Sequence, residues 1–232
     1  MTTKLIACEV MRRELEALST QHDFDCSFVS MDFHLYPQKL HQELQRLLDE
    51  SNSYDQVLLS FGLCGGAAKG LHAVHCPLIM PRVHDCLALL LGSRQRLAQL
   101  QQEEKGTFYL TDGWLITERN ILADHKRHCE RHGEQKAKRL LARMFDSYTR
   151  VLFVHTGNAP EDNSLAESQR IAELLGLQHL ETKGSDSYLQ ALLQGPWPEE
   201  DFLRIPQGSF VQEDDFFMGS MLPACRRTAQ AI

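Results

Sequence analysis

Short apolar runs alternate along this chain with longer segments in which apolar residues recur every three or four positions. Residues 5–7, 27–31, 57–61 and 78–80 read as buried strands, and 11–18, 39–48, 67–74 and 87–103 as the helices that follow them. Segment 39–48 carries the clearest helical stripe, Leu40, Leu44, Leu47 and Leu48. The alternation continues with a strand at 107–110, a highly charged helical stretch over 117–148, and a strand at 151–154. A helix at 165–175 is stopped by Gly176; a weak strand at 179–181, a helix at 187–193 and a last strand at 202–205 follow. Strands alternating with helices predict an α/β fold: a mainly parallel, Rossmann-like sheet with helices on both faces and right-handed crossovers. The expected organisation is one α/β domain over 1–205, divisible into halves 1–105 and 106–205. A tail, 206–232, carries Phe216-Phe217-Met218 and packs either on the body or on a partner.

Composition narrows the function classes. The 232 residues, 43% of them hydrophobic, suffice for a full core. With 24 Lys+Arg against 31 Asp+Glu the net charge is −7, which disfavours sequence-independent nucleic-acid binding. No apolar run approaches the roughly 20 residues of a membrane span, and Met1-Thr2-Thr3-Lys4-Leu5 does not open a signal-peptide core. A cytoplasmic protein is expected. Seven cysteines, an odd number, in a reducing compartment point away from a disulfide framework and toward metal or catalytic use.

Three of those cysteines stand where apolar runs stop: Cys8-Glu9 after 5–7, Cys64-Gly65-Gly66 after 57–61, and Pro81-Arg82-Val83-His84-Asp85-Cys86 after 78–80. Ligands of open parallel sheets bind beyond the carboxyl ends of the strands. Neighbouring strands lie about 4.8 Å apart, close to the separation of ligands around one zinc, so the thiols can converge. Helix N-termini after the strands favour thiolates. In an extended segment His84 and Cys86, two apart, face the same side. The expected metal ligands are therefore Cys8, Cys64, His84 and Cys86. Glu9, His34, Arg82 and Asp85 are candidate catalytic groups. Arg82 suits a substrate carboxylate or phosphate, and the other three suit proton transfer. Gly65 and Gly66 make room for close backbone approach, and Thr156 and Gly157, before Asn158, suit an anion or a turn.

Other residues have plainer readings. Cys26, Cys76, Cys129 and Cys225 read as core or surface cysteines, since free cysteine is commonly buried. His125, His128 and His132 share a helix face, but Lys126, Arg127, Glu130 and Arg131 around them indicate a solvated one. His34, after the second strand, is a better fourth ligand or proton carrier, its plainer role being turn packing. The glycines at 62, 65 and 66 lack both the phosphate-loop and the dinucleotide spacing, so nucleotide binding is weakly supported.

The motifs Ile6-Ala7-Cys8-Glu9, His34-Leu35-Tyr36-Pro37-Gln38-Lys39-Leu40, Phe61-Gly62-Leu63-Cys64-Gly65, Pro81-Arg82-Val83-His84-Asp85-Cys86, Gly92-Ser93, Leu110-Thr111-Asp112-Gly113-Trp114 and Thr156-Gly157 occur in one order. In them the chain resembles the domain-of-unknown-function family 1638, over roughly residues 4–205. The resemblance implies an uncharacterised bacterial or archaeal protein, with some relatives accompanying corrinoid-dependent methyltransferases. Where that family shows Tyr-Gly-Glu, this chain has His132-Gly133-Glu134.

Three functions fit these residues. The first is a zinc- or iron-dependent enzyme, transferring a methyl or other small group or hydrolysing a small molecule; three cysteines also suit an iron–sulfur cluster. The second is a non-catalytic carrier of a metal or metallocofactor, docking on a partner protein through its aromatic tail. The third is a metal-free, racemase-like thiol enzyme acting on a small acid. A homodimer is compatible with the long polar helix and the tail.

Overall fold

A computed structural model describes residues 2–19, 24–116, 121–157 and 163–217. Asn158, Met218 and Cys225 lie outside them. In chain order the elements are β1 (Thr3–Cys8), α1 (Arg12–Ser19), β2 (Asp25–Val29), α2 (Pro37–Asp49), β3 (Gln56–Ser60), β4 (Leu78–Pro81), α3 (Leu87–Leu90) and α4 (Arg94–Glu103). Then come β5 (Thr107–Thr111), α5 (Asp112–Leu115), α6 (Ile121–His132), α7 (Glu134–Met144), β6 (Arg150–His155), α8 (Ser164–Leu175), β7 (Gln178–Lys183), α9 (Ser187–Gln194) and β8 (Phe202–Ile205). The fold is α/β with mostly parallel pairing.

The strands form two sheets, ordered β2-β1-β3-β4-β8 and β5-β6-β7. The chain accordingly divides into two compact units, residues 1–89 with 187–232, and residues 90–186. The division falls at 89/90 and 186/187 instead of near 105, because the chain returns to the first unit to add α9 and β8. In that unit β1 to β4 are parallel, and β8 closes the edge antiparallel to β4, pairing Leu78 with Ile205.

The two central strands explain why their sequences are apolar throughout. Leu5, Ile6, Ala7 and Cys8 of β1 and Val57, Leu58 and Leu59 of β3 are all buried, as expected of strands covered on both faces. Helix α2 starts with Pro37 in its first turn and buries Leu40, Leu44, Leu47 and Leu48. Burying each such leucine contributes about 1.5–3 kcal/mol. The apolar stretch predicted as one helix over 87–103 is two: Gly92, at φ 79°, ends α3, and the Ser93 hydroxyl accepts the Arg96 N–H at 3.0 Å to start α4.

The beginning of the predicted tail packs on the first unit. Val211 exchanges backbone hydrogen bonds with Gly70 and Leu71, and Phe210 stacks on His72 with ring centroids 4.2 Å apart. In the second unit β6 is buried between β5 and β7, and Leu110, Leu115, Val151, Phe153, Ile171 and Ala172 form the core. Among the described residues no helix is long and apolar enough to cross a membrane.

Candidate thiol–imidazole site

Four adjacent parallel strands of the first unit each deliver one soft donor just past their carboxyl ends. Cys8 is the last residue of β1, His34 lies in the 3-10 turn Met31–Leu35 after β2, Cys64 opens the turn Cys64–Gly66 after β3, and Cys86 precedes α3. Cys8 Sγ lies 3.0 Å from His34 Nε2, and Cys64 Sγ lies 3.7 Å from Cys86 Sγ. Cys8 lies near enough to Cys86 for each thiol to shift the other's proton affinity, which relates the two pairs. All three thiols are free. Cys8 and Cys86 are buried, whereas Cys64 and His34 are half-buried and form its open side.

Backbone shape brings the donors together. Gly62 passes so close to the loop after β4 that a Cβ on it would lie 2.7 Å from the Val83 carbonyl oxygen and 2.9 Å from the Asp85 nitrogen. The two loops are laced by Leu63 N–H donating to the Val83 carbonyl and Cys64 N–H to that of His84, each at 2.9 Å. The close approach expected of Gly65 and Gly66 is thus made by Gly62. Gly65 and Gly66 serve a different need, at φ 66° and 91°, conformations that disfavour side chains. Cys64 itself sits at φ 47°, the sole non-glycine residue with positive φ among those described. Such a conformation costs about 1–2 kcal/mol and is typically kept where function over-determines it.

The cluster favours one thiolate. The neighbouring Cys64 thiol first and the Cys8 thiol next hold the Cys86 thiol well below the ordinary range in spite of burial, with the nearby His34 and the Gly62 backbone adding to the effect. Cys8 and Cys64 are pushed well up, first by the neighbouring Cys86 thiol and then by burial. A second or third negative charge needs a positive centre to balance it. The 3.7 Å separation of Cys64 and Cys86 matches the edge of about 3.8 Å between two sulfurs held tetrahedrally at about 2.3 Å from zinc. Among the described residues, however, no group of three or more His, Cys, Asp or Glu side chains is placed to hold a metal ion.

The remaining predicted residues go elsewhere. β4 ends at Pro81, so the chain is no longer extended at residues 84–86 and the alternation expected of His84 and Cys86 fails. His84 is exposed, with its ring 5.4 Å from that of Phe217. Asp85 accepts the Leu87 N–H at 2.8 Å as a helix cap, and its carboxyl is pushed up, chiefly by desolvation. Arg82 donates through Nη1 to the Asp215 carbonyl, holding the turn Glu213–Phe216. Glu9 accepts the Met31 N–H at 3.4 Å and so ties the turn carrying His34 to the end of β1. Thr156 and Gly157 follow β6 and belong to the second unit, with Gly157 at φ 82°. Gly62 is the contributor that sequence reasoning missed; its signal is a glycine directly between a buried strand and the Leu63-Cys64 turn.

Fold and cluster together define an α/β protein with a thiol–imidazole site built by adjacent strand ends. The chain belongs to the family described as protein of unknown function (DUF1638), which it matches over residues 28–193. His34, Cys64 and Cys86 lie inside the matched stretch and Cys8 precedes it. No curated protein and no solved structure matches the chain.

Proposed function

We propose that the first unit holds one zinc or iron ion on Cys8, Cys64 and Cys86, and that the protein is a metal-dependent enzyme. On this reading it acts there on a small molecule, by transfer of a methyl or other small group or by hydrolysis. The observation that carries the reading is the convergence of four soft donors from four successive strand ends, a convergence that a set of core cysteines does not require. A thiolate-bound metal with an open position supplies Lewis acidity and lowers the pKa of a bound water or thiol.

The chain's own groups then have definite tasks. Cys86, whose thiol the neighbouring thiols hold below its ordinary range, is the thiol that gives up its proton most readily. His34 Nε2, 3.0 Å from Cys8 Sγ, receives the proton that Cys8 gives up on becoming a ligand, and can return it to a leaving group. Glu9 holds the His34 turn in place through Met31. The half-buried edge formed by Cys64, Gly65 and Gly66 is where a small molecule reaches the site.

Elemental analysis of anaerobically purified protein tests this. About one equivalent of zinc or iron, resistant to brief chelation and lost in Cys64→Ser/Cys86→Ser, is expected. No bound metal and no uptake on supplying zinc or ferrous iron would overturn it, while rapid exchange of a bound ion would favour a carrier. A second reading, metal-free thiol chemistry, is favoured by the Cys8–His34 contact, which sets an imidazole within 3.0 Å of a thiol. It predicts alkylation of the half-buried Cys64 in protein free of metal.

A further inference from the structure

We propose that Cys64 and Cys86 form a redox-active pair, oxidised by a small hydroperoxide to a disulfide that a thiol reductant reopens. Their sulfurs lie 3.7 Å apart, and both thiols are free. A disulfide bond is about 2.05 Å long, so a swing of under about 1 Å by each sulfur closes the gap. The backbones that carry the two residues are already fastened side by side. Cys64 N–H donates to the His84 carbonyl and Leu63 N–H to that of Val83, each at 2.9 Å, and Gly62 leaves no room for a Cβ between the two loops. Cys64 keeps this place at φ 47° in spite of the cost of that conformation. Cys8 is not part of the pair: it is buried, and its sulfur faces His34 Nε2 at 3.0 Å.

The two residues differ in exposure as a reacting and a resolving thiol do. Cys64 is half-buried, and the chain beside it is open, since a Cβ on Gly66 would meet nothing within 4 Å. Cys86 is buried. A hydroperoxide therefore meets the Cys64 sulfur first, and Cys86 resolves the product. In the first step the Cys64 sulfur bonds to one peroxide oxygen and the O–O bond breaks. The thiol proton goes to the departing oxygen, which leaves as water or an alcohol, and Cys64 becomes a sulfenic acid. In the second step the Cys86 sulfur attacks the sulfenic sulfur and the S–O bond breaks. The hydroxyl leaves with the Cys86 proton as water. The two sulfurs together lose two electrons, which reduce the peroxide. A dithiol reverses the bond by exchange through a mixed disulfide.

The bond uses two of the three sulfurs assigned above to a metal, but its test needs no metal and so succeeds or fails apart from that reading. The full chain, held in chelator without oxygen, is treated with equimolar hydrogen peroxide, blocked with iodoacetamide and mapped by mass spectrometry after non-reducing digestion. The expected result is the loss of two free thiols and a linked pair of peptides carrying Cys64 and Cys86, both reversed by dithiothreitol. Cys86→Ser loses the link and leaves Cys64 as a sulfenic acid that dimedone traps. Cys26→Ser, at another half-buried cysteine, in β2, keeps the wild-type link. The wild-type map decides by itself should Cys86→Ser fold poorly. A link from Cys8 to either residue, oxidation of Cys64 to the sulfinic acid with Cys86 left free, or no loss of thiols while circular dichroism shows the chain folded, would overturn the proposal.

Discussion

Replacing Gly62 by alanine probes the link between backbone packing and the thiol cluster. Gly62 has no unusual φ, so the added methyl is opposed by space alone: it meets the Val83 oxygen at 2.7 Å, the Asp85 nitrogen at 2.9 Å and Val83 Cγ2 at 3.0 Å. Two of these are backbone atoms that no side-chain rotation can clear. Reaching an ordinary contact of 3.4 Å from 2.7 Å requires the loops after β3 and β4 to part by about 0.7 Å. Such a shift strains the hydrogen bonds from Leu63 to Val83 and from Cys64 to His84, each with a net contribution of about 1 kcal/mol. Overpacking adds about 1–3 kcal/mol. A loss of about 2–5 kcal/mol is expected on combining these, measured by chemical denaturation of metal-free protein. The same parting exceeds the tolerance of about 0.2 Å for metal–ligand distances, so zinc or cobalt affinity of the first unit falls as well. A change below about 0.5 kcal/mol, the range of ordinary surface substitutions, with unchanged metal binding, would refute the reasoning.

Four further outcomes follow from particular contacts. Cys64→Gly relieves the cost of φ 47° and leaves metal-free protein as stable as the wild type or up to about 1 kcal/mol more so, while abolishing metal binding in the first unit; a marked destabilisation on denaturation would contradict it. His34→Ala retains the metal if His34 is a proton carrier, as proposed, and loses it if His34 is a ligand, whereas His84→Ala leaves metal content unchanged in elemental analysis. Arg82→Ala frees the turn Glu213–Phe216 and speeds proteolysis there without altering metal content; loss of metal would show that Arg82 shapes the site. Desolvation, followed by the Glu181 charge acting oppositely and by His155, holds His179 below its ordinary value of 6.5. The unfolded chain therefore binds the proton more readily, so stability falls as pH drops below 6.5 toward the folded-state value, and His179→Gln flattens the denaturation midpoints measured between pH 7.5 and 5.5.

What could be read from the sequence was what depends on local pattern. The buried strands, the stripe of α2 and the arrival of Cys8, Cys64 and Cys86 at strand ends all follow from runs and periods a few residues long. The two sheets were hidden, because the return of α9 and β8 to the edge of β4 is a contact between distant segments that no local period encodes. His84, expected to face the same side as Cys86, turns the other way for a definite reason. Alternation of side chains holds only within a strand, and β4 stops at Pro81, after which Val83 and Cys86 turn inward and His84 outward. His34 reaches Cys8 from the neighbouring strand end because β2 pairs with β1 in a register that sets Val29 beside Cys8, and Glu9 then fixes the turn that follows.

The same geometry bears on why Cys64 keeps its strained backbone. Glycine at that position would remove the strain, as it does at Gly65 and Gly66, the next two residues, whose positive φ and not crowding is what calls for glycine. A core cysteine gains nothing from such a conformation, and burial alone would be met by any small residue at an ordinary φ. The turn instead holds the Cys64 sulfur 3.7 Å from that of Cys86, in a residue that is itself only half-buried. Conformational cost concentrated on a residue whose thiol is paired with Cys86 is the pattern expected when the thiol, not the turn, is what the local structure serves.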